Sequence, residues 1–166
     1  MGSLSVLVIE NNAQELEIIA QILSGFRVNA VSKQGSAADA MVHIQKTPVD
    51  LLIVAAALPS MDGYDFTRWL RTTMTVPSRM APVLLLTGHT RASDVAKARD
   101  CGASLVIARP ATPHILFQRI AWLAGNVRVF IETPAYTGPD RRFRTLGPPG
   151  THKRRKDDPP EAEVTS

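Results

Sequence analysis

The chain has 166 residues, 45% of them hydrophobic, and a formal net charge of +4, which suits one folded domain with a full core. It has no apolar run of about 18 residues, and its first residues lack the pattern of a secretory signal, so membrane-spanning and secreted classes are not expected. The single cysteine, Cys101, cannot form an internal disulfide, which fits a cytoplasmic protein.

Residues 1–125 alternate between short apolar runs and longer amphipathic stretches. The runs predict five strands, and four of them are almost uninterrupted, as expected for parallel strands buried on both faces. The second run contains Asn29 and is typical of an edge strand. The runs cover residues 6–9, 28–31, 51–56, 83–86 and 105–108. The alternation predicts a three-layer α/β fold with a doubly wound parallel sheet.

Each amphipathic stretch places its apolar residues on one helical face. In chain order these faces are Leu16, Ile19, Ala20 and Leu23; Ala37, Ala40, Met41 and Ile44; Phe66, Leu70 and Met74; Ala92, Val95 and Ala96; and Leu116, Ile120 and Leu123. Capping signals predict where three of the helices begin, namely Asn12 with Glu15, Ser36 with Asp39, and Thr112 with Pro113. Gly25 and Gly102 are placed to end helices.

In a doubly wound sheet, ligands bind at the carboxyl ends of the strands, near the point where the strand order reverses. The residues that follow the predicted strands there are 10–12, 55–59, 87–88 and 109–110. We therefore expect any functional site to be built from these four segments.

The segment at residues 50–63, DLLIVAAALPSMDG, is a buried strand that runs into a tight loop. It resembles the phosphorylation-site strand of response-regulator receiver domains. The receiver order continues with Thr87 after the fourth strand, Gly102 before the fifth and Arg109-Pro110 after it. The resemblance covers about residues 4–125 and implies a flavodoxin-like fold of five βα units with sheet order 2-1-3-4-5.

The positions that carry receiver chemistry are altered in this chain. The resemblance implies a magnesium site made by two acidic residues after the first strand and by a phosphoacceptor aspartate, and these positions are Glu10, Asn11 and Ala55. Arg109 replaces the family's lysine, and only Thr87 is retained. We therefore expect a degenerate site without phosphorylation, enzymatic activity, bound metal or cofactor.

Two side chains of the degenerate site have more than one possible role. Arg109 either forms a bidentate pair with Glu10, which would fill the old site, or points to solvent. Thr87 is either a remnant of the receiver chemistry or a hydroxyl that caps the next turn. The aromatic residue that rotates when a receiver is activated corresponds here to Val106.

Residues 126–166 contain half of the prolines and few aliphatic residues, which predicts a basic, largely disordered tail with residues 127–131 extended along the domain. Residues 141–156 include seven Lys or Arg and no acid. Guanidinium groups bind phosphates and stack on bases, so this run is a candidate anion binder. The candidate binding residues are Arg141, Arg142, Arg144, Lys153, Arg154 and Arg155, with Tyr136 as a stacking residue and Trp122 as a docking residue.

The leading interpretation is a stand-alone, divergent receiver that acts as a protein-interaction adaptor in bacterial two-component or chemotaxis-type signalling. Its partners would be a histidine kinase, a regulator or a motor component. The resemblance makes the face of the fourth and fifth helices the usual partner surface, so Trp122 is either a docking anchor there or a cover for the sheet or tail.

The alternative interpretation is a cyclic di-GMP effector that binds through the arginine-rich tail, because receiver-like effectors with such tails form a known class. An acidic protein surface and nucleic acid are the other targets, and a solubilising tail without a specific ligand is the simplest alternative. Nucleic acid is the weaker target because no recognition helix or RNA-binding sheet accompanies the charge run.

Overall fold

The computed structural model of the chain describes residues 3–88, 91–126 and 128–141. Five parallel strands form one sheet in the order β2-β1-β3-β4-β5. The strands are β1 (Ser5–Ile9), β2 (Ala30–Gln34), β3 (Leu51–Ala55), β4 (Val83–Thr87) and β5 (Leu105–Ala108). The doubly wound fold and the strand order are therefore confirmed, and the order reverses between β1 and β3. β2 is an edge strand as predicted, but it begins two residues later than residue 28.

Among the described residues, five helices connect and flank the strands, and three of them begin at the predicted caps. The helices are α1 (Ala13–Gly25), α2 (Ala37–Lys46), α3 (Gly63–Thr73), α4 (Ala92–Cys101) and α5 (Pro113–Gly125), with a short 3-10 helix at Ser78–Met80. The side chains of Asn12, Ser36 and Thr112 each accept a backbone hydrogen bond at the start of their helix. None of the described helices has the length and apolar character needed to cross a bilayer.

The core lies on both faces of the sheet, because the strands bury alternate residues on opposite sides. Leu7 and Ile9 of β1 join one buried cluster, and Val6 and Val8 join the other. The predicted apolar face of α4 was wrong at Ala92, which is exposed, and at Val95, which is 46% exposed. That helix instead buries Ala98 and Cys101, at its carboxyl end.

The chain continues beyond α5 into a two-stranded antiparallel hairpin, which packs against α3 and α4. Its strands are β6 (Phe130–Thr133) and β7 (Tyr136–Pro139). Assigning residues 126–166 to a largely disordered tail was therefore wrong for residues 128–141. The segment is ordered because the aromatic side chains of Phe130 and Tyr136 pack onto the preceding domain, so no separate core is required.

Candidate functional site

The candidate site lies at the carboxyl ends of β1, β3, β4 and β5. β3 is buried along its whole length, and Ala55, its last residue, is 0% exposed. The loop after it folds back tightly, so that the Gly63 amide donates to the Ala56 carbonyl at 2.9 Å. A Cβ at residue 63 would collide with the Ala55 carbonyl oxygen, so the loop requires glycine there. The fold therefore presents a methyl group at the centre of the site.

Arg109 joins two carboxylates across this end of the sheet. Its Nη2 donates to Glu10 Oε2, and its Nη1 is paired with Glu15 Oε2. The Glu10 side chain is nearly buried, whereas Glu15 is about half exposed. Of the two alternatives left open for Arg109, the structure shows the pair with Glu10 and not a side chain that points only to solvent. The predicted bidentate geometry is wrong, because the guanidinium gives one nitrogen to each carboxylate.

Glu15 is a site residue that the sequence analysis named only as a helix-capping partner. The sequence did indicate this position, because Glu15 lies three residues after the predicted cap Asn12. That spacing puts its carboxylate in the first turn of α1, next to the segment after β1. Arg109, which directly follows β5, can therefore reach a second carboxylate.

The donors at this site do not fit the magnesium ion that the family resemblance implies. Glu10 Oε1 accepts a hydrogen bond from the Asn12 amide at 2.8 Å, and its Oε2 is engaged by Arg109. Asn11 is exposed and supplies an amide in place of a carboxylate, and Ala55 supplies no oxygen. Among residues 3–88, 91–126 and 128–141, no group of three or more His, Cys, Asp or Glu is arranged to hold a metal. A hard cation would find too few oxygen ligands here.

Thr87 is buried at the end of β4, where its side chain is hydrogen-bonded to that of Tyr64 from the first turn of α3. Burial raises the pKa of the Tyr64 hydroxyl, and the bond to Thr87 opposes this shift. Lys97 Nζ lies 4.5 Å from the centroid of the Tyr64 ring. Val106, at the position of the rotating aromatic residue, is half-buried against the core. Tyr64 thus fills space beside Thr87, and the sequence analysis missed it.

An apolar groove of about 330 Å³ lies beside Arg109, between α1 and the segment that joins β5 to α5. Ile18 is 47% exposed at its rim. The remaining lining residues are Glu15, Ile19, Leu86, Arg109, Pro110 and Ala111. The groove therefore combines an apolar wall with the ion pairs of Arg109.

Three residues proposed as tail or docking contacts take part in packing within the described structure. Tyr136 is buried, and its hydroxyl donates to the Pro139 carbonyl at 2.7 Å. Arg141 lies 4.1 Å from the centroid of the Tyr136 ring and forms an ion pair with Asp100 at 2.7 Å. Trp122 is half-buried, with the Arg128 guanidinium 5.3 Å from its ring centroid.

The other basic residues of the predicted tail site lie outside the described residues. They are Arg142, Arg144, Lys153, Arg154 and Arg155. Binding of cyclic di-GMP or another anion by these residues stays a prediction. Tyr136 is already enclosed by the hairpin, so it is a poor candidate for stacking on a ligand.

Comparison with known proteins places this geometry in context. The family model for the response regulator receiver domain matches residues 6–121. The protein-glutamate methylesterase/protein-glutamine glutaminase 6 of Anaeromyxobacter dehalogenans (strain 2CP-C) is 31% identical over 111 residues, which are 65% of this chain and 30% of that protein. The transcriptional regulatory protein HprR of Escherichia coli (strain K12) is 29% identical over 70% of this chain and 50% of its own length. The chain thus spans half or less of these two relatives.

A solved structure shows the same fold. The crystal structure of a putative response regulator from Chloroflexus aurantiacus J-10-fl superposes with a TM-score of 0.69 at 24% identity. The match covers 75% of this chain and 100% of that one.

Proposed function

The chain belongs to the response regulator receiver domain family of two-component signalling, and on that premise we propose that it works by binding signalling proteins and not by accepting a phosphoryl group at residue 55. The observation that carries the proposal is Ala55, a fully buried methyl group at the carboxyl end of β3. The family resemblance expects the phosphoacceptor carboxylate there. A methyl group has no oxygen nucleophile, so no acyl phosphate can form on it.

The ion pairs of Arg109 support the same proposal. In a receiver that is phosphorylated, the resemblance implies a metal and a phosphoryl group at this end of the sheet. Here Glu10 and Glu15 hold the Arg109 guanidinium in that place. The two carboxylates thus already supply the negative charge that a phosphate would bring to this cation. The domain would then keep one binding surface at all times.

We propose the side of the domain formed by α1 and α5 as that binding surface. Ile18 is 47% exposed beside the groove, and Phe117 of α5 is 55% exposed. Phe117 packs edge-on against Phe26 at the end of α1, with ring centroids 5.4 Å apart, so the two helices share one apolar side. Receiver domains contact histidine kinases and other regulators, and a partner of this class would bury the exposed apolar side chains.

A phosphorylation assay tests the chemical half of the proposal. With acetyl phosphate and magnesium, we expect no hydroxylamine-labile label on the wild-type chain and none on Ala55→Asp, because the rest of the metal site is still altered. The triple variant Asn11→Asp, Ala55→Asp, Arg109→Lys should take up label. Label on the wild type would overturn the proposal, and label on Ala55→Asp equal to that on the triple variant would overturn the account of the metal site.

A binding assay tests the interaction half. Purified phosphoacceptor domains of histidine kinases, and isolated regulators, would each be titrated with the full chain. Ile18→Asp should weaken binding about tenfold or more, because it places a charge in a buried contact. Val42→Asp is the matched control, since Val42 is 51% exposed on α2. If neither substitution changes the affinity, the partner binds a different surface of the domain. If no member of the panel binds, the adaptor function is contradicted.

A further inference from the structure

A second cavity, of about 260 Å³, lies between the hairpin and the domain, at the end of the sheet opposite the degenerate site. One wall is formed by the segments that directly precede β4 and β5. The other is formed by the hairpin, at the start of β6 and the end of β7. Most of its lining is apolar, from Met80, Leu123, Phe130 and Pro139, and Ser104 and Arg128 are among its polar residues. Its volume of about 260 Å³ is slightly below the usual range for small-molecule sites, about 300–1,000 Å³, so only a compact ligand would fit.

Arg71 of α3 is completely buried beside this cavity. Its Nε donates to the Gly102 carbonyl at 3.0 Å, and its Nη1 donates to the Arg79 and Ala81 carbonyls at 2.6 and 2.7 Å. These carbonyls belong to the same two segments that line the cavity before β4 and β5. Its guanidinium carbon lies 5.5 Å from the centroid of the Phe130 ring, which also lines the cavity. Arg71 therefore lies directly behind the cavity wall.

The hydrogen bonds of Arg71 leave donor capacity and positive charge uncompensated. Its Nη2 is buried and has no acceptor among the described residues. Within residues 3–88, 91–126 and 128–141, no ion pair joins Arg71 to a carboxylate. A buried cation held by carbonyl dipoles alone raises the electrostatic potential around it.

Two further arginines lie in the cavity wall or next to it. Arg128 lines the cavity itself, and its buried Nε also lacks an acceptor among the described residues. Arg79 lies 5.9 Å from the Phe130 ring centroid and has a buried Nε without an acceptor there, although its Nη2 is paired with Glu132 at 2.5 Å. The cavity thus combines an apolar wall with the guanidinium of Arg128, whose positive charge is partly offset by Asp140, and with the buried cation of Arg71 beside it.

We propose that this cavity binds a small organic oxyanion, a carboxylate or a phosphate ester, through its charged group at Arg128 and its apolar body against Phe130, Met80 and Leu123. The charge of Arg71 would favour the anion from behind the wall. The site lies away from residue 55, so it is independent of the function proposed above. It would let the domain respond to a metabolite without phosphorylation.

Calorimetric titration of the full chain tests the proposal, with benzoate and phenyl phosphate as probes at low ionic strength. Saturable binding of at least one probe is expected, and the two probes together show which oxyanion is preferred. Arg128→Gln should weaken binding about tenfold, the usual cost of losing a charge-assisted hydrogen bond. Met80→Trp should block the cavity without changing its charge, because Met80 is a half-exposed residue at its edge.

The controls separate a site from general attraction to a basic protein. Arg91→Gln removes one charge from an exposed residue at the start of α4 and should leave binding unchanged. Inorganic phosphate, which has no apolar body, should bind more weakly than phenyl phosphate. The proposal is overturned if neither probe saturates, if Arg91→Gln weakens binding as much as Arg128→Gln, or if inorganic phosphate binds as well as phenyl phosphate. If Met80→Trp fails to fold, the comparison of Arg128→Gln with Arg91→Gln still tests the proposal.

Discussion

The two ends of the sheet each hold an arginine at their centre, and the two arginines are stabilised in opposite ways. At the carboxyl end, Arg109 is partly exposed and paired with Glu10 and Glu15. At the amino end, Arg71 is fully buried, is bound by three backbone carbonyls and lies against the Phe130 ring. Ion pairs that are partly open to solvent contribute little to stability, whereas a buried cation with fixed acceptors is costly to remove. The altered chemical site should therefore be tolerant of substitution, and the hairpin end should not.

The largest effect is expected from Arg71→Met, which keeps an unbranched stem and removes the guanidinium. Three carbonyls would lose their buried donor, and we expect the free energy of unfolding to fall by about 3 kcal/mol. Urea unfolding measures this free energy. Arg68→Met is the control on the same helix, because Arg68 is exposed and should change stability by about 0.5 kcal/mol or less. Equal effects of the two substitutions would contradict the contrast between the two ends.

Gly102→Ala should have the next largest effect. Gly102 ends α4 with φ of 98°, in the left-handed region that favours glycine. A Cβ there would also lie 2.8 Å from the Thr137 carbonyl oxygen and 2.9 Å from Arg71 Cγ, so it would push on the hairpin. We expect a loss of about 2 kcal/mol in urea unfolding. Gly25→Ala, where a Cβ meets nothing within 4 Å, should cost far less, and a similar loss there would argue against hairpin contact as the cause.

Tyr136→Phe removes a single hydroxyl from the hairpin. The lost hydrogen bond to the Pro139 carbonyl should cost about 1 kcal/mol at neutral pH. Burial raises the pKa of Tyr136 above its ordinary value of 10.0, so the folded state prefers the neutral phenol. Its contribution to stability is present below that ordinary value and is lost as pH rises through the higher folded pKa. The difference in the free energy of unfolding between wild type and variant should shrink above about pH 10. A difference that grows there would contradict burial as the cause of the raised pKa.

The sequence predicted the sheet and three of the helix caps, and it offered the Glu10–Arg109 pair as one of two alternatives, because each depends on local pattern or on the register of a familiar fold. The burial of Arg71 depends on carbonyls at residues 79, 81 and 102, which approach one another only in the folded chain. The hairpin was missed for a related reason. Proline-rich composition indicates disorder, but the Phe130 ring packs against the guanidinium groups of Arg71 and Arg79 and Tyr136 is buried, a tertiary effect that outweighs local composition.

The smallest effects are expected at the Arg109 ion pairs, where double-mutant cycles sharpen the comparison. The coupling energy of Arg109→Met with Glu10→Gln should be about 1 kcal/mol, because the Glu10 side chain is nearly buried and the pair is poorly screened. The coupling of Arg109→Met with Glu15→Gln should be about 0.3 kcal/mol, because Glu15 is about half exposed to solvent. Added salt should reduce the second coupling more than the first. If the two couplings are equal and equally sensitive to salt, burial does not distinguish the two carboxylates. Arg109 would then belong to the exposed surface and would not lock the degenerate site in one state.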